Sequence, residues 1–172
     1  MFQVRIHGRG GQGVVTSAEL LAVAAFDGGL HAQAFPVFGS ERTGAPVMAF
    51  CRIDTRPIRT HEPITAPDAI VIQDPMLLPM LDLTAPLVIV NTTTVVTAPG
   101  RVVTVPASAI AREHLGRPLP GAPLLGALAA ASGIVTLDAL AAAIEERFPP
   151  VLAAGNVAAA RAAYAEVFAH AA

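Results

Sequence analysis

The stretch that most constrains this chain is Arg5-Ile6-His7-Gly8-Arg9-Gly10-Gly11-Gln12-Gly13, followed directly by Val14-Val15-Thr16-Ser17-Ala18-Glu19-Leu20-Leu21. Phe2, Val4 and Ile6 alternate with Gln3, Arg5 and His7, the two-residue period of a strand, whereas Val14, Leu20, Leu21 and Ala24 share one helical face. The glycines therefore fall on a strand-to-helix turn, and Gly8, Gly10 and Gly13 match the spacing G-x-G-x-x-G. Residues without Cβ atoms allow a tight turn and close approach of a ligand. A helix starting there points unpaired N–H groups and the positive end of its dipole at the turn, where phosphate is the usual guest. The bland alternative is a turn that only packs helix on strand.

The 172 residues suit one domain spanning 1–172, and a 53% hydrophobic composition supplies its core. Charged residues make up only 14% and mean hydropathy is +0.58, so much of the surface is apolar or alanine-rich, as expected of a chain covered by partners. No apolar run reaches membrane-spanning length, and no signal peptide is visible, which predicts a cytoplasmic protein. The single Cys51 excludes an internal disulfide, a four-cysteine zinc site or an iron–sulfur cluster held by this chain alone. It lies in the apolar run Val47 to Cys51 and reads as a small buried hydrophobe. A net charge of −2 without a basic block leaves no footprint for nucleic acid.

Asp27-Gly28-Gly29 ends the first helical pattern, and His31 to Phe38 reads as the second strand of a βαβ unit. An NAD-type fingerprint needs an acidic residue closing that strand to hold the ribose hydroxyls, and Gln33 to Phe38 has none. Instead comes the polar loop Gly39-Ser40-Glu41-Arg42-Thr43-Gly44, whose Ser, Arg and Thr suit an anionic group; the alternative is a solvated Glu41/Arg42 pair. Val47 to Ile53 is a strand, with Ile58 to Thr60 expected to pair back on it as a small antiparallel hairpin. Ala69 to Ile72 and Leu87 to Val90 are continuous apolar runs expected as buried parallel strands, with a short helix over Pro75 to Leu81 between them. Asn91, at the carboxyl end of the second run, is a candidate ligand contact; the alternative is an Asx turn capping the next segment. Val102 to Val105 is a last short strand, and Ser108 is placed to cap a helix from Ala109 to Leu115. A proline-rich connector over Gly116 to Pro123 leads to alanine-rich helices at Leu124–Ser132, Leu137–Phe148 and Asn156–His170. The expected fold is α/β and Rossmann-like: a mostly parallel sheet flanked by helices, a small antiparallel hairpin and an Ala-rich helical C-terminal part.

Catalytic patterns are missing. His7, His31, His61, His114 and His170 are scattered without metal-ligand spacing, there is no G-x-S-x-G elbow, and the glycine turn lacks the G-K-[ST] ending of a P-loop. His7 beside the glycines is read as structural first, and Glu145-Glu146-Arg147 as a solvated face. By its residues the chain is a ligand-binding α/β domain without its own active site.

The two glycine-bounded motifs in series, Ile6 to Gly13 and Ala34-Phe35-Pro36-Val37-Phe38-Gly39-Ser40-Glu41-Arg42-Thr43-Gly44-Ala45-Pro46, resemble the gamma subunit of 2-oxoacid:acceptor oxidoreductases, the pyruvate:ferredoxin oxidoreductase group. The resemblance continues through Arg52-Ile53-Asp54, Gln73-Asp74-Pro75, Leu119-Pro120, Leu125-Gly126-Ala127 and Ile144 to Phe148. It implies a subunit of an enzyme that decarboxylates a 2-oxoacid and joins the acyl group to coenzyme A. Thiamine diphosphate with magnesium and the iron–sulfur clusters are then expected in the alpha, beta and delta or electron-transfer subunits, which pass electrons to ferredoxin or NAD(P). The gamma chain contributes coenzyme A binding and assembly. Carried onto this sequence, the nucleotide contacts fall on Gly10, Gly11, Gln12 and Gly13, with Ser40 and Arg42 as a second loop oriented by Glu41; Thr43 stands where many members have a second basic residue. Two other readings stay open: a stand-alone NADP-dependent reductase in which Arg42 and Ser40 grip the ribose phosphate, and a purely architectural subunit.

Overall fold

A computed structural model describes residues 1–37 and 44–169. Its six-stranded sheet comprises β1 (Phe2–Arg9), β2 (His31–Val37), β3 (Pro46–Asp54), β4 (Ala69–Ile72), β5 (Leu87–Asn91) and β6 (Arg101–Val105), in the order β2-β3-β1-β4-β5-β6. The helices are α1 (Val14–Asp27), α2 (Ala107–Leu115), α3 (Gly121–Ser132), α4 (Leu137–Arg147) and α5 (Pro150–Ala169), with a 3-10 turn at Pro75–Met80. Strands β4, β5 and β6 extend β1 in parallel, and the fully buried runs of β4 and β5 are the continuous apolar runs that parallel strands require.

The other half of the sheet departs from the βαβ expectation. β2 does not pair with β1. β3 lies between them and runs antiparallel to both, with Val4 opposite Cys51 and Cys51 opposite Ala34. The antiparallel hairpin is therefore β2–β3 and not one closed by Ile58 to Thr60, which form no strand. The physical reason is that β3 is paired along both sides and has no free edge left; Arg52 on it is 2% exposed and donates to the Gln3 and Gln33 side-chain oxygens of its two neighbours and to the Glu62 carbonyl. The segment after β3 is thereby fixed at Glu62 through Arg52 and not through a strand ladder.

Val4 and Ile6 of β1 join residues from all five helices in one cluster, while Ile70, Ile72, Val88 and Val90 form a smaller cluster on the opposite face with Leu78, Leu81 and Val96. All five helices thus bury their apolar residues on one face. At β4 and β5 the 3-10 turn and following loops cover the other. Helix α3 begins at Gly121, three residues before the expected start, and α5 at Pro150, running through Gly155. Proline is compatible with a first turn, where its missing N–H has no intrahelical use. A glycine inside a helix weakens it without stopping it when packing demands a bare backbone: a Cβ on Gly155 would lie 2.8 Å from the His114 carbonyl oxygen.

Candidate functional site

Near the end of β1 Gly8 is tightly enclosed: a Cβ there would lie 2.6 Å from Val14 Cγ2 and 3.0 and 3.1 Å from the amide oxygens of Gln12 and Gln73. The Gln12 side chain folds back to accept from the Arg9 N–H at 2.7 Å, and the Gln12 N–H donates to the Arg9 carbonyl at 3.0 Å. Gly11 (φ +91°) and Gly13 (φ +78°) adopt left-handed conformations that side-chain-bearing residues avoid. Gly13 is the N-cap of α1. The first helical bond runs from Ser17 N–H to the Gly13 carbonyl, so the earlier N–H groups of the turn lack an intrahelical acceptor. No side chain caps them, and no acidic residue lies in the first turn.

These groups open onto a cleft of about 280 Å³. One wall is Gly11, Gln12, Gly13, Thr16, Ser17 and Leu20; the other comprises Leu115, Arg117, Leu119, Gly121 and Ala122 between α2 and α3, with Phe148, Leu152 and Asn156 at the α4–α5 corner. Arg117 is the only charged side chain among the described lining residues. The second wall was not foreseen: residues 116–123 read as a connector. Its signal was Pro120-Gly121 ahead of an apolar run, a helix start with no Ser, Thr, Asp or Asn to cap it.

Beneath the turn, Gln73 ties the elements together. Its N–H donates to the His7 carbonyl (2.8 Å), its side-chain amide donates to Ser17 Oγ (2.9 Å), and its carbonyl accepts from Asn91 Nδ2 (2.8 Å). Asn91 also donates to Ser108 Oγ at 2.8 Å and accepts from the Ser108 N–H at 2.9 Å. Asn91 therefore serves the start of α2, the capping alternative, and does not line the cleft; Ser108 is itself capped, and the helix begins at Ala107. Arg9 forms an ion pair with Asp74 and donates to the Gly44 carbonyl. Gly10 is held by hydrogen bonds with Ala45 and Gly44.

Of the sequence-derived contacts, the structure brings Gly11, Gln12 and Gly13 to the cleft, engages the Gly10 N–H within the protein and sets Asn91 apart. Ser40 and Arg42 lie outside the described residues. His7 is 8% exposed with an unpartnered Nε2, and burial, with the nearby Arg5 cation, lowers its pKa to about 4. A neutral imidazole follows at ordinary pH. Cys51 is fully buried and its thiol is pushed up to about 12 by desolvation, so it is no nucleophile.

A mostly parallel sheet whose first strand feeds an uncapped helix through a glycine turn defines an α/β domain of the kind in which a helix start is open to an anion. Residues 3–166 match the family model for pyruvate ferredoxin/flavodoxin oxidoreductase. The chain is 46% identical over 177 residues to the pyruvate/ketoisovalerate oxidoreductases common subunit gamma of Thermococcus kodakarensis, covering 95% of this chain and 96% of that one. It superposes on the crystal structure of pyruvate oxidoreductase subunit PORC from Thermotoga maritima with a TM-score of 0.82 at 35% identity, covering 95% of each chain. The fold also recurs, with a TM-score of 0.78 at 19% identity, in 2-oxoglutarate:ferredoxin oxidoreductase from Magnetococcus marinus, solved with 2-oxoglutarate, coenzyme A and succinyl-CoA bound; 98% of this chain is matched to 31% of that one. The chain belongs to the pyruvate ferredoxin/flavodoxin oxidoreductase family, as a gamma-type subunit.

Proposed function

We propose that this subunit binds coenzyme A in the cleft at the start of α1 and helps to hold together a multi-subunit enzyme that oxidatively decarboxylates a 2-oxoacid to its acyl-CoA. The observation that carries this reading is the uncapped first turn of α1 opening onto a cleft with no carboxylate among its described lining residues. The diphosphate of coenzyme A meets the helix N–H groups there, while Leu20, Leu119, Phe148 and Leu152 offer apolar surface to the rest of the molecule. The Magnetococcus enzyme, in which 31% of one chain shares this fold, was solved with coenzyme A bound, which supports the reading. Holding the thiol carrier beside the acyl donor lowers the entropic cost of transfer.

Thiamine diphosphate with magnesium and the iron–sulfur clusters belong in this reading to alpha, beta and delta or electron-transfer partners, which deliver electrons to ferredoxin or NAD(P). A lone cysteine in this chain supports that division. The test is coenzyme A-dependent turnover of the assembled enzyme carrying Thr16→Asp, which sets a carboxylate in the first turn of α1. The expected result is a KM for coenzyme A raised about tenfold, because the carboxylate competes for the helix N–H groups and repels the diphosphate. An unchanged KM would remove coenzyme A from this cleft, and saturable NADPH binding to the same subunit would favour a reductase instead.

A further inference from the structure

The cleft has two positive ends, and coenzyme A binding at the α1 turn accounts for only one. Helix α3 starts on the opposite wall without a side-chain cap and without an acidic residue in its first turn. Gly121 and Ala122 of that turn line the cleft. The two helix starts are held side by side because position 121 has no side chain: a Cβ there would lie 2.7 Å from Ser17 Oγ, which Gln73 fixes in turn. Ser17 is one helical turn beyond Gly13, so the α3 end is displaced from the α1 turn by roughly 6 Å along the helix.

Arg117 stands at this second end. Its side chain lines the cleft and makes no ion pair or hydrogen bond among the described residues. By contrast, Arg9 is paired with Asp74 and the buried Arg52 is held by amide and carbonyl oxygens. A guanidinium without a partner among the described residues, a second uncapped helix start and no carboxylate among the described lining residues give the cleft a second end suited to an anion.

A ligand that satisfies both ends carries two separate anionic groups a short distance apart. The adenosine ribose of coenzyme A does so, with its diphosphate on the 5′ carbon and a phosphate monoester on the 3′ oxygen. Resting on the coenzyme A reading, we infer that Arg117 and the first turn of α3 bind the 3′-phosphate, and that Arg117 makes the enzyme prefer coenzyme A to 3′-dephospho-coenzyme A.

The experiment uses the assembled enzyme with wild-type, Arg117→Gln, Arg117→Lys or Thr16→Asp gamma subunit, each checked for intact assembly by native mass spectrometry. Acyl-CoA formation is measured against coenzyme A and against 3′-dephospho-coenzyme A. The wild-type enzyme should prefer coenzyme A at least tenfold in kcat/KM. Arg117→Gln should raise KM for coenzyme A about tenfold or more while moving that for the dephospho form less than twofold. Arg117→Lys, which keeps a point charge but loses the bidentate fork, should fall between. No preference in the wild type, or an Arg117→Gln effect that is nil or equal for both substrates, overturns the assignment. Thr16→Asp separates the two ways of failing. If it raises both KM values while Arg117→Gln does nothing, only the 3′-phosphate subsite is wrong; if it moves neither, coenzyme A does not bind in this cleft at all.

Discussion

Replacing Gly126 with alanine should reverse the usual sign of a glycine-to-alanine change inside a helix. In an unpacked helix the substitution gains about 1 kcal/mol. Gly126 sits in the middle of α3 where it crosses α5, and a Cβ there would lie 2.1 Å from the Ala160 carbonyl oxygen and 2.8 Å from its carbonyl carbon. Both atoms are backbone, so no rotamer change relieves the clash. Restoring an ordinary contact of about 3.4 Å requires the helices to separate locally by about 1.3 Å. A gap of that size forfeits much of the dispersion energy along the crossing, where Leu124, Leu125, Leu128, Ala159, Ala160 and Ala163 are all at most 1% exposed. Overpacking of this kind costs about 1–3 kcal/mol, and more when backbone must move. The expected net loss is about 2 kcal/mol, or roughly 4–8 °C in Tm for a domain of this size. Urea and thermal unfolding of the isolated chain by circular dichroism reads it, with the half-buried Ala130→Gly in the same helix as a control that should lose about 1 kcal/mol by propensity. A Gly126→Ala chain melting at or above the parent temperature would refute the close-crossing argument.

His7 makes stability pH-dependent. Because its folded pKa is depressed to about 4 from 6.5, the unfolded chain binds the proton first, and its contribution is full above pH 6.5 and declines as pH falls toward 4. The loss is about 3 kcal/mol at the lower limit, and His7→Asn should flatten that part of the stability curve relative to wild type. Asn91→Ala removes three hydrogen bonds and leaves the buried Gln73 carbonyl without that donor; a loss of about 2–4 kcal/mol in urea unfolding is expected. Cys51 should resist a thiol reagent in the folded chain and react only on unfolding, so prompt labelling under native conditions would contradict its burial.

Local patterns in the sequence were legible wherever a periodic run met a definite stop. Strands β1, β4 and β5 and the first helix follow from the alternation around Ile6, the unbroken apolar runs and the glycine turn, all of which are short-range signals. The placement of β3 between β1 and β2 was not legible, since nothing local to Val47–Ile53 says which neighbour it takes; that choice depends on Arg52 reaching Gln3, Gln33 and Glu62. Gly155 read as a stop because glycine usually weakens a helix, whereas here α2 comes too close for any side chain. The glycine wall of the candidate site was visible as a motif. Arg117 was not, because a lone arginine in a proline-rich connector acquires meaning only when α3 begins beside α1.

The position of β1 between two strands distant in sequence also sets an order of assembly. Val4 pairs with Cys51 on one side and Ala69 on the other, so β1, made before both of its neighbours, has no ladder partner until residue 46 and no second one until residue 69. Loop-closure entropy must be overcome before either pairing contributes. The glycine turn at its end thus leaves the ribosome early and acquires its shape late. A chain that ends before β3 should have α1 as its main source of order, and one that ends between β3 and β4 should hold only the antiparallel β1–β2–β3 half of the sheet, which makes the β1–β3–β4 junction the step on which kinetic competition with aggregation turns.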